Sequence, residues 1–258
     1  MQKDNIYEHT ETYPVRVYHC GTNGCITLPA LADFLQEIAS VHAEHLGYSR
    51  SRLLDEGRIW VLARLYFLMN RLPGFQEPMT LHTIARGRDK YHAFRDFELL
   101  DADGKELGRA TSSWLHMDIA SRSMTPLDES LMKAVPEGIN PGLLDFPSRS
   151  LPRLREAGYE TNLRARRFDE DMNGHVNNAK LVSLCLESVP DDVWDKHSAV
   201  GLDIGFRSEG HRGEKIVSAC SEQPSDPENA FCAKGGRRML HAVRREGQDL
   251  CRAVSYWR

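Results

Sequence analysis

Gly104-Lys105-Glu106-Leu107-Gly108-Arg109-Ala110-Thr111-Ser112-Ser113-Trp114 decides the fold, because the chain writes it twice. Gly247-Gln248-Asp249-Leu250-Cys251-Arg252-Ala253-Val254-Ser255-Tyr256-Trp257 returns Gly, Leu, Arg, Ala, Ser and Trp in the same order, at a constant offset of 143. The leading glycine suits a turn, and the rest reads as a strand. The same strand at the end of each half of a chain indicates a duplicated domain.

Working outward, the two halves follow one order. In the first, Val15-Arg16-Val17-Tyr18 alternates and predicts a short strand, and Gly21-Thr22-Asn23-Gly24 predicts a turn. Thr27 then caps a helix with Pro29 in its first turn and an apolar face of Leu31, Phe34, Leu35, Ile38 and Val41, ended by Gly47. Strands are predicted over 60–69, 79–86, 94–100 and 107–117, the last two joined at Asp101-Ala102-Asp103-Gly104. Pro126, Pro136, Pro141, Pro147 and Pro152 break the pattern, so a linker is expected, with a short helix over 127–135. The second half predicts a strand over 163–167, a helix over 181–189, and strands over 199–206, 216–221, 231–233, 239–243 and 250–256. The expected fold is α+β. Two antiparallel sheets are each wrapped round a long central helix, in domains 1–127 and 153–258 joined by residues 128–152.

The densest chemistry lies in Asp169-Glu170-Asp171-Met172-Asn173-Gly174-His175-Val176-Asn177-Asn178, just before the second helix. Asp-x-Asn-Gly is ordinary turn chemistry, and Asn177 or Asn178 is a natural N-cap. The cluster therefore sits at a helix N-terminus, where backbone N–H groups and the helix dipole favour negative charge, including a developing oxyanion. His175 can move a proton near neutral pH. Asn23-Gly24-Cys25 lies 150 residues before Asn173-Gly174-His175, so the first copy has Cys25 where the second has the histidine. One chain is expected to hold one active site, with the first copy as scaffold.

Composition narrows the class. A net charge of −4 over 258 residues gives no reason to expect nucleic acid as a partner. The 41% hydrophobic content supplies a core, but no apolar run approaches membrane-spanning length. Six cysteines without a C-x-x-C pair fit reduced thiols in a cytoplasmic protein, and residues 1–13 lack the apolar stretch of a signal peptide. No H-E-x-x-H, Gly-x-Ser-x-Gly or P-loop is present, and neither a metal nor a cofactor is expected.

Four stretches resemble the acyl-carrier-protein (ACP) thioesterases: Trp60-Val61-Leu62-Ala63-Arg64 with Asn70-Arg71-Leu72-Pro73, Gly108 to Trp114, Asp171 to Asn178, and Phe206-Arg207-Ser208-Glu209-Gly210. The resemblance covers nearly the whole chain. It implies a tandem (double) hotdog fold and hydrolysis of fatty acyl-ACP thioesters by activated water. By it, Asp171 orients Asn173, Asn173 and His175 position thioester and water, and Glu209 is the general base. Plant members often carry a cysteine after that glutamate; Gly210 stands there in this chain, so no cysteine nucleophile is offered at that place. Asn177 and Asn178 are candidate substrate-binding positions. Arg237 and Arg238, in a C-terminal stretch with seven basic against two acidic residues, are candidates for docking the acidic carrier protein. A homodimer stays open. The rival readings are an acyl-coenzyme A thioesterase of the same fold and a non-catalytic acyl-binding hotdog protein.

Overall fold

The computed structural model describes residues 6–127, 129, 137–139, 142–224 and 231–258. The chain divides into two compact units, Met1–Thr27 with Asp33–Phe146, and Leu28–Ala32 with Pro147–Arg258.

The first unit runs β1 (Glu8–Pro14), α1 (Leu28–His45, its opening residues Leu28–Ala32 grouping with the second unit), α2 (Arg50–Asp55), β2 (Arg58–Met69), β3 (Pro78–Arg88), β4 (His92–Leu100) and β5 (Glu106–Asp118). Its strands are antiparallel in the order β2-β5-β4-β3-β1. Two-residue strands β6 (Ser123–Met124) and β7 (Gly138–Ile139) add to β5 and β3. β3 alternates strictly between buried and half-buried positions, the signature of a sheet with one face on a core. Leu31, Leu35 and Ile38 of α1 are fully buried at i, i+4, i+7 spacing, the expected apolar face. The helix ends as Gly47 turns to φ +82°, with Gly47 N–H on the Glu44 carbonyl and Tyr48 N–H on that of Ala43. That pair of bonds is a Schellman cap, and its left-handed residue favours glycine.

The second unit runs β8 (Tyr159–Arg164), α3 (Asn178–Leu186), α4 (Asp191–Trp194), β9 (Ala199–Phe206), β10 (Lys215–Glu222), β11 (Arg237–Arg245) and β12 (Gln248–Trp257). Its order is β9-β12-β11-β10-β8, all antiparallel, and α3 lies against β10, β11 and β12. Numbered within each unit, the strands of both read 2-5-4-3-1. The repeat that opened the sequence reading falls on β5 and β12, and its side chains make the same bonds. Trp114 Nε1 donates to Ser112 Oγ (2.8 Å) and Trp257 Nε1 to Ser255 Oγ (2.7 Å). Arg109 pairs with Glu106 (2.6 Å) as Arg252 does with Asp249 (2.6 Å).

Four expectations need correction. The second helix is not long: α3 has nine residues against eighteen in α1. Pro190 lacks an N–H and excludes the helical conformation before it, so the chain stops and restarts as α4. The strand expected at residues 15–18 lies earlier, in β1. Pro14 ends it, and a capping box between Arg16 and His19 winds Val17–His19 into a 3₁₀ turn. The second copy does the same with Arg166 and Asp169, so β8 ends at Arg164 rather than 167. The strand expected at 231–233 is a 3₁₀ turn, Cys232–Lys234, closed by Gly235 at φ +81°. The helix expected over 127–135 lies almost wholly outside the described residues.

Candidate active site

The site is built on the loop between the Arg166–Asp169 box and α3. Asp169 accepts from Arg166 N (2.6 Å) and from the Arg166 guanidinium (2.9 Å). Burial alone would raise its carboxyl, but these bonds outweigh burial and hold it below the usual carboxylate range. Past that anchor the backbone folds back on itself: Asp171 N–H donates to the His175 carbonyl (2.8 Å), Gly174 N–H to that of Asp171 (3.0 Å), and Asn177 N–H to that of Asp169 (2.8 Å). Gly174 sits at φ +77°, so its place in the motif is a backbone requirement.

Asp171 holds the turn from inside. Its Oδ1 accepts Asn173 N–H (2.7 Å) and its Oδ2 the Asn173 side-chain amide (3.3 Å). Asn177, not Asn178, is the helix cap: its Oδ1 accepts Ala179 N–H at 2.7 Å, and Asn178 is the first residue of α3.

The acidic member arrives from the end of β9. Arg207 and Ser208 both donate to the Leu250 carbonyl (2.8 and 3.2 Å), and the Glu209 carbonyl accepts from Arg245 (3.4 Å). Gly210 then locks this segment to the turn, its carbonyl accepting Val176 N–H at 2.7 Å. The outcome is His175 Nε2 3.4 Å from Glu209 Oε2, both partly open to solvent. A half-exposed imidazole beside a carboxylate can hold and pass a proton, and an adjoining anchored amide can orient a substrate.

The sequence reading missed His211. Its ring stands edge-on to His175 with centroids 5.0 Å apart, its Nδ1 lies 3.3 Å from the Gly174 carbonyl, and its N–H donates to Glu214 Oε2 (2.9 Å). Burial works to raise the Glu214 carboxyl, but that bond and Arg245 bring it below its ordinary value. Ligand atoms of His175, Glu209 and His211 all lie within 4.8 Å of one another.

Asp171, Asn173, His175 and Glu209 thus meet around one turn. Arg237 and Arg238 do not join them. They open β11, whose far end carries Arg245, the residue on the Glu209 carbonyl; eight strand steps separate the two ends, about 27 Å. Arg237 is also committed, with two guanidinium bonds to Glu222 (2.7 and 2.8 Å).

Comparison with known proteins finds two family matches that account for most of the chain: the acyl-ACP thioesterase N-terminal domain over residues 6–135 and the acyl-ACP thioesterase C-terminal domain over 153–258. Oleoyl-acyl carrier protein thioesterase 2 of Arabidopsis thaliana, a chloroplastic protein, is 28% identical over 98% of this chain and 77% of its own length. Among solved structures, an acyl-ACP thioesterase from Bacteroides thetaiotaomicron matches all of both chains with a TM-score of 0.85 at 22% identity. A 12:0-ACP thioesterase from Umbellularia californica matches 98% of this chain and 94% of its own at TM-score 0.84 and 23% identity. The structural likenesses carry the fold, α+β and hotdog-like.

Proposed function

From the acyl-ACP thioesterase family, to which this chain belongs through both its N-terminal and C-terminal domains, we infer that it hydrolyses fatty acyl-ACP thioesters to free fatty acid and holo-ACP. The observation that carries the assignment of the chemistry is the contact of His175 Nε2 with Glu209 Oε2 at 3.4 Å, next to an Asn173 pinned by Asp171. Glu209 takes a proton from water as the water oxygen bonds to the thioester carbon. The carbon–sulfur bond then breaks, and the proton passes to the departing phosphopantetheine sulfur. Asn173 and His175 hold the acyl group and the water, and the dipole of α3 favours the oxyanion between the two steps.

The domains are 1–127 and 153–258 with 128–152 as linker, a tandem hotdog in which the second copy is catalytic and the first is scaffold. The gap between the two family matches, after 135 and before 153, supports a junction within that stretch. Asn177 acts through its cap, holding the start of α3 in place, and Asn178 lies beside the bound acyl group. Docking of the acidic carrier uses exposed cations. Arg207 and Arg212 flank Glu209 and are exposed, which favours them over Arg237 and Arg238. Six free thiols, four of them buried, support a reducing cytoplasmic setting. Among the described residues no helix is long and apolar enough to cross a membrane.

The test is Glu209→Gln, which keeps size and hydrogen bonding but cannot take the proton. Turnover on acyl-ACP should fall by ~10²–10⁴ while KM changes little. Near-normal turnover would remove Glu209 as the base.

A further inference from the structure

His211 has no task in this hydrolysis, yet it is held with care. We propose that His175, Glu209 and His211 form a binding site for a zinc-class divalent cation, and that filling it stops hydrolysis. The binding rests on geometry alone; the inhibition rests on the hydrolytic reading above.

Two imidazoles and one glutamate are a known ligand set for zinc, which takes three protein ligands and leaves a fourth position to water. Zinc–ligand bonds of about 2.0–2.1 Å in a tetrahedron place neighbouring ligand atoms about 3.3–3.4 Å apart. His175 Nε2 and Glu209 Oε2 already stand at 3.4 Å. The third ligand atom lies within 4.8 Å of both, so an ion seated among the three asks for adjustments of little more than about 1 Å in side chains that are open to solvent. Placing His211 Nδ1 3.3 Å from the Gly174 carbonyl supplies the other half of such a site. When Nδ1 carries the proton and donates it there, Nε2 is left with its lone pair, which is how metal-binding histidines are oriented by a second hydrogen bond. The backbone is fixed as well, since His211 N–H is on Glu214 and Arg212 N–H on Glu170 (3.1 Å).

The three residues are drawn from two segments 34 to 36 positions apart in sequence. No short ligand motif therefore announces them. A cation seated there takes up the Glu209 carboxylate and the His175 lone pair at once. Glu209 can then no longer serve as the free base of the hydrolytic reading, and inhibition is the expected result.

The experiment titrates chelator-treated protein with zinc chloride and, separately, cobalt(II) chloride. It uses a Cys20→Ser/Cys25→Ser background so that the two half-buried thiols do not contribute. Expected are one tightly bound ion per chain, intense visible bands of four-coordinate cobalt, and zinc inhibition of acyl-ACP hydrolysis reversed by chelator. His211→Ala and His211→Gln should weaken zinc binding at least ~100-fold, more than the loss of an outer-shell partner. Both variants should keep metal-free turnover within a small factor of the parent. No saturable binding, or binding indifferent to His211, overturns the site. Binding that raises turnover overturns the inhibitory role. Zinc binding together with normal metal-free turnover of Glu209→Gln would instead fault the base assignment and leave the metal site standing.

Discussion

The turn before α3 and the turn before α1 have the same backbone and opposite chemistry. In the second copy Asp171 N–H reaches the His175 carbonyl, Gly174 N–H that of Asp171, Asn177 N–H that of Asp169, and Val176 N–H that of Gly210. In the first, Gly21 reaches Cys25 (2.9 Å), Gly24 reaches Gly21 (3.0 Å), Thr27 reaches His19 (2.9 Å), and Ile26 reaches Pro73 (3.0 Å). Even the acidic anchor beyond each segment is kept: Gly74 N–H donates to Glu77 (3.0 Å) as His211 N–H does to Glu214 (2.9 Å). Gly24 and Gly174 share a left-handed φ of +73° and +77°. The side chains assigned to hydrolysis, Asn173 apart, and to the metal site are among those that differ. Gly21 stands for Asp171, Cys25 for His175, Leu72 for Glu209 and Gly74 for His211. The loop is therefore a structural element of the fold, required wherever a capped helix follows this sheet strand. Three of the four residues assigned to hydrolysis, Asp171, His175 and Glu209, thus stand in one copy only, while the fourth, Asn173, has its counterpart in Asn23.

The largest difference between the copies should come from stripping each turn of its central side chain. His175→Ala should lower kcat on acyl-ACP by ~10²–10⁴, whereas Cys25→Ser should leave it within about twofold. Matched thermal melts of the two variants would show that the difference is chemical. Equal losses in activity would mean that both turns serve the reaction.

The repeat makes this comparison legible in the sequence itself. An offset of 143 between Gly104 and Gly247, and of 150 between Asn23 and Asn173, put the two strands and the two turns in register, and the strands of both units follow one order. His211 was not legible. It lies 36 residues from His175 with no local motif, and its meaning arises from an antiparallel return that brings Gly210 onto Val176. One signal was present: once the acidic anchors Glu77 and Glu214 are matched, His211 falls opposite Gly74, a difference that packing does not demand. The 3₁₀ turns were hidden for another reason. Val17 and Tyr18 look like strand residues but are 70% and 79% exposed, because Arg16 and His19 close a cap across them.

Each unit also holds a buried histidine whose pKa is pushed well down, and acid should find both. Burial pushes His241 down to about 4, with Nε2 2.7 Å from Ser255 Oγ. Burial, and next the Arg95 charge, push His42 to about 4. Arg95 Nη1 lies 2.6 Å from His42 Nδ1, so a neutral His42 accepts there while its Nε2 sits 3.0 Å from the Ile6 carbonyl as donor. Both folded values lie below the unfolded value of about 6.5, so the unfolded chain binds more protons between pH 6.5 and 4. Stability from each group is complete above pH 6.5 and is lost as pH falls toward 4. The loss is up to about 3 kcal/mol for each histidine, at roughly 1.4 kcal/mol per pKa unit. Urea melts of the parent and of His241→Gln at pH 7.5 and pH 5 check this. The parent should lose more on acidification than the variant, and identical losses would remove His241 from the account.

A smaller effect separates two pairs of arginines. Arg207→Glu/Arg212→Glu reverses exposed charges beside Glu209 and should raise KM for acyl-ACP roughly tenfold at low salt, less at high salt, with little change for the acyl-coenzyme A ester. Arg237→Glu/Arg238→Glu, at the other end of β11, should change the carrier's KM by less than about threefold. The reverse ranking would place docking at that end of the strand.

The smallest expected effect concerns Gly210, the counterpart of Pro73 in the first copy. Plant relatives of this family often carry cysteine at that position, so Gly210→Cys asks whether a thiol there adds chemistry. A Cβ built on Gly210 meets Leu250 Cδ1 at 3.1 Å and Val176 Cγ2 at 3.3 Å, so both side chains must yield slightly. Overpacking of that degree costs about 1 kcal/mol, or ~2–4 °C in Tm for a chain of this size. The carbonyl of residue 210 still accepts Val176 N–H, which keeps Glu209 at its distance from His175. kcat should therefore stay within about threefold, and mass spectrometry after rapid quench should find no acyl group on the new thiol. A burst of released carrier with an acyl-cysteine adduct would show that the turn can support a nucleophile, and that Gly210 rather than Glu209 is what commits this copy to water.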